Sequence, residues 1–183
     1  MVKKIKVLSS KVVYRGKWVE VTSDKIVKPD GVEANHEVAR RGDCVLILAF
    51  EGDKLLLVKQ WRYPANESLW ELPSGFINKS ETPLKAARRE LQEESGLIPL
   101  KIKSLGVFLT WPSFSTQKIF LFYANKFRMG KISHDKTESD LKSRFIPYKQ
   151  VLRFVKKGTM KTSSTLAALA IMDIKQKKVV NLS

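Results

Sequence analysis

The sequence predicts an α/β fold, a mixed β-sheet covered by helices, with a small β-sheet added at the N-terminus. Two observations support this prediction. Short apolar stretches separated by turn residues predominate, whereas helix patterns are few and far apart. The first 40 residues contain only strand and turn patterns, which is too little chain for a core of its own. We therefore expect an N-terminal β extension over 1–40 and a main domain over 41–183.

The N-terminal extension is predicted from its turns. Arg15–Gly16 interrupts one strand pattern, and Pro29–Asp30–Gly31 separates two extended pieces. So slight a sheet needs a surface to pack on, either the rest of the chain or a second subunit. We expect a homodimer that forms through residues 1–40.

The main domain begins with a predicted hairpin of two buried strands, in which Glu51–Gly52–Asp53 is the turn. Its first strand contains the single cysteine, Cys44, which we expect to be a buried thiol. One cysteine excludes an internal disulfide and favours a cytoplasmic location. Further strand patterns lie at 100–111, 118–127 and 142–147, and helix patterns lie at 148–158 and 163–178.

Another helix is predicted between Thr82 and Gly96. The Thr82 hydroxyl is a suitable N-cap, Pro83 is tolerated at the first helical position, and Gly96 is the matching stop signal. Three apolar residues have the spacing of a stripe that docks on the sheet. They are Leu84, Ala87 and Leu91.

Three carboxylates crowd the end of this helix, although the chain has 34 Lys and Arg against 18 Asp and Glu. Glu90 and Glu94 lie one turn apart and Glu93 is adjacent, so they face one region beside the apolar stripe. Clustered carboxylates repel one another unless a cation lies among them, and such oxygen ligands suit Mg²⁺. The alternative is a solvated acidic face paired with basic residues of the same helix. Those residues are Lys85, Arg88 and Arg89.

The net charge of +16 indicates an attraction for phosphate groups, whether on a nucleic acid, a membrane surface or a small nucleotide. Residues 141–183 contain ten Lys or Arg and one acid, Asp173. The alternative is an ordinary lysine-rich surface, because net charge bears on solubility and steering and not on fold. No apolar run reaches the roughly 18 residues of a membrane helix, so we expect no membrane partner.

The glutamates belong to a longer pattern. Gly75 is followed after five residues by Glu81, and after seven more by RELQEESGL. This stretch resembles the Nudix box at each of its nine defined positions. They are Gly75, Glu81, Arg89, Glu90, Leu91, Glu93, Glu94, Gly96 and Leu97. The resemblance to Nudix hydrolases implies an α/β/α sandwich, a box folded as loop–helix–loop, and cleavage of a nucleoside diphosphate linked to another moiety.

The resemblance also implies roles for residues of the box. Glu90 and Glu94 would be the main ligands of Mg²⁺ or Mn²⁺, with Glu93 assisting and the backbone carbonyl of Ser74 as a further ligand. Arg89 would hold the glutamates in place. Cations on a diphosphate neutralise its oxygens and polarise the attacking water, and a carboxylate that is not tied up in metal binding takes the proton. Glu93 is one candidate for that catalytic step.

A second candidate base lies in the late loop 133–143. In this family an acidic residue of that loop often supplies the base or another metal ligand. Glu138 is the candidate here, with Asp140 and Asp135 behind it. The alternative is a solvated polar loop that has no catalytic role.

Residues 59–77 resemble the segment that enters the box in ADP-ribose pyrophosphatases and related nucleoside-diphosphate-sugar hydrolases. In that subfamily the arginine corresponding to Arg62 contacts the substrate, and its planar guanidinium suits a phosphate. The alternative for Arg62 is an ion pair with Glu67 or Glu71. Pro112 lies near the position where a proline marks ADP-ribose-cleaving members.

The stretch around Trp18 also resembles this subfamily, in which an N-terminal sheet is exchanged between subunits and one of its aromatic residues stacks on the nucleobase. Trp18 is the candidate for stacking, with His36 on the other face of the base. The alternatives are that Trp18 packs in the core and that His36 is a solvated or hydrogen-bonded strand residue.

The sequence thus predicts a Mg²⁺-dependent cytoplasmic enzyme that hydrolyses nucleoside diphosphate sugars, with ADP-ribose as the leading substrate. Gln117 stands where an acid is common in ADP-ribose-cleaving members, which leaves GDP-mannose or a broader range of nucleotide sugars open. The positive charge keeps an RNA 5′-end pyrophosphohydrolase as a rival, although we do not expect a nucleic-acid partner. A non-catalytic binding module is disfavoured because the glutamates of the box are intact.

Overall fold

The computed structural model describes residues 4–131 and 140–180, with side chains described as far as residue 175. The strands are β1 (Lys6–Arg15), β2 (Glu20–Val27), β3 (Glu33–Arg40), β4 (Cys44–Glu51), β5 (Lys54–Arg62), β6 (Glu67–Glu71), β7 (Ser74–Phe76), β8 (Leu97–Leu109), β9 (Lys118–Met129) and β10 (Lys142–Pro147). The helices are α1 (Pro83–Ser95), α2 (Tyr148–Lys156) and α3 (Ser163–Val180). Within the described ranges no helix is long and apolar enough to cross a membrane.

The chain separates into two compact units. The first comprises Met1–Asp43 and Leu109–Lys118, and the second comprises Cys44–Phe108 and Ile119–Ser183. The segment from 109 to 118 belongs with the N-terminal strands because its backbone bonds to β3. The Ala39 amide donates to the Phe114 carbonyl at 2.8 Å, and the Thr116 amide donates to the Ala39 carbonyl at 3.2 Å.

The first unit is built on an antiparallel sheet in the order β1–β2–β3. Residues alternate between buried and more exposed along β2, whereas every residue of β1 is exposed. One buried position of β2 is Asp24, which accepts a hydrogen bond from the Ser10 hydroxyl at 2.5 Å and lies 3.4 Å from the Arg40 guanidinium. The hydrogen bond from Ser10 holds the pKa of Asp24 below its usual value, so Asp24 stays charged and ties the three strands together.

The second unit contains a mixed sheet in the order β10–β5–β4–β9–β8. β4 is parallel to β9 and antiparallel to β5. The β4–β5 pairing is confined to the turn end, at Phe50–Leu55 and Glu51–Lys54, so the hairpin opens beyond these pairs. The short strand β7 pairs with the free start of β4, from Cys44 to Leu46. This opening determines where the first residues of the Nudix-like box lie.

Helices cover both faces of this sheet, so the predicted mixed α/β architecture is confirmed. On one face Ala86, Ala87 and Leu91 of α1 are fully buried in a cluster with residues of β4 and β9. On the other face, residues of α2 and α3, including Val151 and Leu169, join a second cluster. Both clusters depend on the alternation of side chains along the buried strands.

The predicted ends of α1 are confirmed. The Thr82 hydroxyl accepts a hydrogen bond from the Lys85 amide at 3.3 Å, and Gly96 ends the helix with a φ of 72°. The prediction that Leu84 belongs to the apolar stripe is wrong, because Leu84 is 43% exposed. Ala86 is buried in its place. Cys44 is half-buried and not fully buried, because it lies at the open end of the hairpin.

Candidate active site

The candidate active site lies where β7 meets α1. Gly75, in the middle of β7, approaches the Glu90 side chain so closely that a Cβ at position 75 would lie 2.1 Å from the carboxyl carbon. Such a separation is far below van der Waals contact, so the approach requires glycine. The glycine of the box is therefore needed here for a carboxylate to lie against the backbone.

Arg89 ties the neighbouring carboxylates together. Its Nε and Nη2 donate to the two oxygens of Glu81 at 3.0 and 2.9 Å, and its Nη1 donates to Glu90 at 2.7 Å and Glu93 at 2.9 Å. Nη2 also donates to the Phe76 carbonyl at 2.8 Å. The hydrogen bond from Arg89 lowers the pKa of Glu81, and these carboxylates, Glu81 foremost, raise the pKa of Arg89. The predicted role of Arg89 in holding the glutamates agrees with this geometry.

Glu90 and Glu94 lie on the buried side of α1, with only 8% and 3% of their surfaces exposed. The Ser74 amide points at Glu94, 3.3 Å from one carboxylate oxygen and 3.5 Å from the other. Glu93 is turned further outward, with 36% of its side chain exposed. Exposure to solvent, one part of the alternative, is therefore wrong for Glu90 and Glu94, whereas the pairing with Arg89, its other part, is present at Glu90. The structure brings both together with Ser74, Gly75 and Arg89.

Arg62 at the end of β5 forms an ion pair. Its Nε donates to a Glu71 carboxylate oxygen at 2.7 Å, which is the alternative that the sequence left open. Glu138 and Asp135 lie outside the described residues. Asp140, at the edge of that gap, accepts a hydrogen bond from the Trp61 amide at 2.7 Å and so borders the β5 segment that leads to Arg62.

An aromatic pocket of about 510 Å³ opens within the first unit. Trp18 is 56% exposed and lines this pocket, so packing of Trp18 in the core is wrong. Trp111 and Phe114 also line it, with their rings 5.7 Å apart between centroids, and Arg41 contributes a positive charge. The full lining is Trp18, Val19, Ala39, Arg41, Thr110, Trp111, Phe114, Ser115 and Gln117. Flat aromatic surfaces beside a cation suit a planar, anionic ligand.

His36 and Pro112 lie in the first unit but are not among the residues lining the aromatic pocket. His36 is exposed on β3, and its Nε2 lies 2.9 Å from the Ser113 carbonyl oxygen. Pro112 follows Trp111 in a tight turn, in which the Trp111 carbonyl accepts from the Phe114 and Ser115 amides. Both residues hold the loop 110–117 in place, and Pro112 does so through its fixed backbone angle.

Comparison with known proteins identifies the family. A NUDIX domain matches residues 39–167, and a nucleoside diphosphate sugar hydrolase N-terminal domain matches residues 5–39. The chain belongs to the Nudix hydrolases. It is therefore an enzyme, and the predicted α/β/α Nudix fold is confirmed.

Several relatives of this Nudix hydrolase match along most of their length. An ADP-ribose pyrophosphatase of Bacillus subtilis (strain 168) is 25% identical over 93% of this chain and 94% of its own. An ADP-ribose pyrophosphatase of Mycobacterium tuberculosis (strain ATCC 25618 / H37Rv) is 28% identical over 88% of this chain and 80% of its own. A crystal structure of an ADP compounds hydrolase, 21% identical, superposes with a TM-score of 0.87 over 97% of each chain. This structural likeness supports the fold.

Nudix hydrolases generally use divalent metal ions, and the residues of this site fit such an ion. Arg89 supplies one positive charge to three carboxylates, those of Glu81, Glu90 and Glu93, so the group keeps a net negative charge. Glu90 and Glu94 add buried oxygen donors of the kind hard cations prefer. Among the described side chains, however, no three of His, Cys, Asp or Glu converge as a ready set of ligands. Glu90 and Glu94 are the residues that would hold the ion.

Most residues that line the aromatic pocket were not singled out from the sequence, among them two aromatic residues and an arginine. Trp111, Phe114 and Arg41 line the aromatic pocket, although they lie far from Trp18 in the chain. Their grouping depends on the bridge between Ala39 and Ser115, a long-range pairing with no local sequence signal. The density of aromatic residues in the loop TWPSF is the one feature that could have indicated them.

Proposed function

We propose that this Nudix hydrolase cleaves the pyrophosphate bond of nucleoside diphosphate sugars in a Mg²⁺-dependent reaction, with ADP-ribose as the leading substrate. The products are a nucleoside monophosphate and a sugar phosphate. The observation that carries the proposal is the burial of Glu90 and Glu94 against the backbone of β7. The two ADP-ribose pyrophosphatases that match most of the chain support the choice of substrate.

The diphosphate of the substrate and the carboxylates of the candidate site are both negatively charged, so they repel each other unless a cation lies between them. A divalent ion held by Glu90 and Glu94 would neutralise the diphosphate oxygens and polarise the attacking water. Arg89 fixes the carboxylates through hydrogen bonds of 2.7–3.0 Å, so little rearrangement is needed when the substrate binds. Glu93, the most exposed of the three glutamates at the end of α1, is one candidate to accept the proton from water; Glu138 is the other.

The aromatic pocket is the proposed binding site for the nucleobase. Trp18 presents 56% of its surface, and its indole is large enough to cover a purine. The Trp111 and Phe114 rings give the pocket further apolar surface. His36 is a weaker candidate, because its ring already contacts the Ser113 carbonyl. We propose that Arg62, which pairs with Glu71, also contacts a phosphate of the substrate. We propose that Pro112 shapes the loop beside the aromatic pocket.

We further propose that the protein forms a homodimer through residues 1–40. β1 is exposed along its whole length, and its apolar residues Val7 and Val13 are 56% and 55% exposed. An open apolar edge strand favours pairing with a second chain. A cytoplasmic location remains part of the proposal because the chain has one cysteine. Sedimentation analysis that finds a monomer at all concentrations would contradict the dimer and leave the reaction type untouched.

A substrate panel tests the proposed function. Purified protein is assayed with ADP-ribose, GDP-mannose, UDP-glucose, a dinucleoside polyphosphate and 5′-triphosphate RNA, each with Mg²⁺ and with Mn²⁺. We expect ADP-ribose to have the highest kcat/KM and to yield AMP and ribose 5-phosphate. If the enzyme prefers GDP-mannose, or cleaves many nucleotide sugars at equal rates, the proposed substrate is wrong but the proposed reaction type stands. Cleavage of RNA alone would overturn the proposal.

The net charge of +16 is the observation that favours the RNA alternative. An enzyme that acts on RNA through many phosphate contacts would lose activity steeply as salt rises. Hydrolysis of a small nucleotide sugar should depend far less on salt. Assays of both substrates across a range of KCl concentrations separate the two functions.

A further inference from the structure

Two adjoining cavities lie along β8 and β9 in the second unit. Their volumes are about 330 and 490 Å³, and both are lined by Tyr123 and Asn125. Lys101 and Lys103 line the first cavity, and Lys126 lines the second. Cavities of several hundred Å³ are the size that small molecules occupy in proteins.

Tyr123, which lines both cavities, lies on the face of the sheet opposite α1, whereas Ile102 and Phe127, which line one cavity each, pack in the cluster that contains residues of α1. None of the residues that line either cavity belongs to α1 itself. Leu121 and Tyr123 belong to the cluster that contains residues of α2 and α3, whereas Phe122 and Ala124 belong to the cluster that contains residues of α1. Glu90 and Glu94 of the candidate active site lie on α1. The cavities are therefore separate from the carboxylate site.

A backbone irregularity in β9 adds a lysine to this face. The alternation that buries Phe122 and Ala124 beside α1 would turn Lys126 the same way, but it is Phe127 that packs in that cluster. Lys126 has a φ of 60°, and the regular pairing of β9 with β4 ends at the preceding residue, Asn125. Asn125 and Lys126, although consecutive, both line the second cavity.

The left-handed conformation of Lys126 is costly for this residue type. A residue with a Cβ loses about 1 kcal/mol or more in this conformation, and glycine would avoid that cost. Strained residues of this kind concentrate at functional sites. Lys126 is exposed and lines the second cavity, where its ammonium adds a positive charge.

The two lysines that line the first cavity lie on β8. Lys101 and Lys103 flank Ile102, which packs in the cluster beside α1, so strand alternation turns both lysines to the opposite face. The Lys103 amine lies 5.3 Å from the centre of the Tyr123 ring, and that ring stacks on Phe50 at 5.9 Å. This stack limits the freedom of the Lys103 ammonium before any ligand binds.

We propose that these residues form a second binding site, for a small phosphate-bearing molecule. The phosphate binds in the first cavity between the ammonium groups of Lys101 and Lys103, because two cations with a neighbouring amide and hydroxyl suit a phosphate group. The rest of the ligand extends into the second cavity, beside Asn125 and Lys126. Glu51, which also lines the second cavity, disfavours a second phosphate there. This site does not depend on the proposed substrate of the enzyme.

Nuclear magnetic resonance tests the second site residue by residue. The ¹⁵N-labelled full-length protein is titrated separately with inorganic phosphate, with AMP and with a short oligouridylate. We expect phosphate to cause saturable shifts of the Tyr123 and Asn125 amides, which line both cavities, and AMP to shift the Lys126 amide as well. The double variant Lys101→Gln/Lys103→Gln should weaken AMP binding at these amides about tenfold or more. Local amide shifts distinguish this binding from any binding of AMP at the active site.

A matched double variant controls for the lost charge. Lys156→Gln/Lys157→Gln removes two exposed lysines at the C-terminal end of α2, away from Tyr148, whose ring contacts Phe50 of the second cavity, and should change AMP affinity at the second site less than about twofold. If both double variants weaken AMP binding at the second site equally, the loss is explained by net charge alone and the proposal is overturned. Three results of the titrations would also overturn the proposal. These amides could shift only with the oligouridylate, they could shift with AMP but not with phosphate, or they could shift with none of the ligands.

Discussion

The carboxylate site of the second unit and the aromatic pocket of the first unit are built in opposite ways. Glu90 and Glu94 are 8% and 3% exposed and are held by neighbouring backbone and by Arg89. Trp18 and Trp111 are 56% and 61% exposed. The carboxylates have little freedom to move, whereas the aromatic side chains leave broad surfaces open to a ligand.

Because of this difference we expect the two sites to have different roles in the reaction. A buried charged network tolerates little change, because a displaced carboxylate loses several hydrogen bonds and stays in a poorly solvated position. Exposed rings can be exchanged for other residues at small cost to folding. We therefore expect substitutions at the carboxylate site to affect the rate of the chemical step, and substitutions in the aromatic pocket to affect substrate affinity and choice.

The largest effect is expected from Glu94→Gln. Glutamine keeps the size of the side chain and an oxygen for the Ser74 amide, but it removes the negative charge that a divalent ion needs. We expect kcat to fall about a thousandfold while the melting temperature stays close to that of the wild type. Glu33→Gln, at an exposed glutamate of β3, is the control and should keep full activity. Unchanged turnover in Glu94→Gln would remove this residue from the metal site.

A smaller loss is expected from Gly75→Ala. The added methyl group would lie 2.1 Å from the Glu90 carboxyl carbon, so the carboxylate must move away from β7. A displacement of about 1 Å in a catalytic group can cost about a hundredfold in rate. Gly130→Ala is the control, because a Cβ there meets the flexible end of Ile98 at 2.7 Å. If Gly75→Ala were fully active, the close approach to Glu90 would have no part in catalysis.

The aromatic pocket should respond differently. Trp18→Ala removes the proposed stacking surface, which is worth ~1–3 kcal/mol for a base, and should raise KM for ADP-ribose about tenfold with little change in kcat. Trp18→Phe keeps an aromatic ring and should recover part of the affinity. A loss of kcat without a change in KM would contradict the proposed role, as would a fall in stability with normal kinetics.

The contrast between the two sites also explains how much could be predicted from sequence. The ends of α1 and the turn at Glu51–Gly52–Asp53 depend on local residues, and both were predicted correctly. The grouping of Glu90, Glu94 and Ser74 followed from the box pattern. The short strands β6 and β7 were not predicted, because they form by pairing with β5 and β4 and have no clear alternation of their own.

The aromatic pocket was harder to predict for the same physical reason. Trp18 and Trp111 are brought into one pocket by backbone bonds between β3 and the segment 109–118, which are distant in sequence. No periodic pattern encodes such a pairing. The exposure of Leu84 also went against its pattern, because α1 docks on the sheet through the smaller Ala86 and Ala87.

The smallest effect concerns the outer edge of the carboxylate site, at Glu81. The two hydrogen bonds from Arg89 lower the pKa of Glu81 in the folded protein below its usual value of 4.5. Its contribution to stability is therefore present at pH values above the unfolded-state pKa, and it is lost as the pH falls through the folded-state pKa. Glu81→Gln should lower the melting temperature by about 1–3 °C at neutral pH and by less in acid.

Thermal unfolding of the wild type and of Glu81→Gln across a pH series measures this effect. Glu20→Gln is the control, because Glu20 pairs at 2.7 Å with an Arg15 side chain that is 71% exposed, and such pairs add little stability. If the difference between the wild type and Glu81→Gln does not shrink at all as the pH falls, this side chain acts through packing and not through its charge. In that case the contacts that fix Arg89 in the carboxylate site would be those to Glu90, Glu93 and the Phe76 carbonyl.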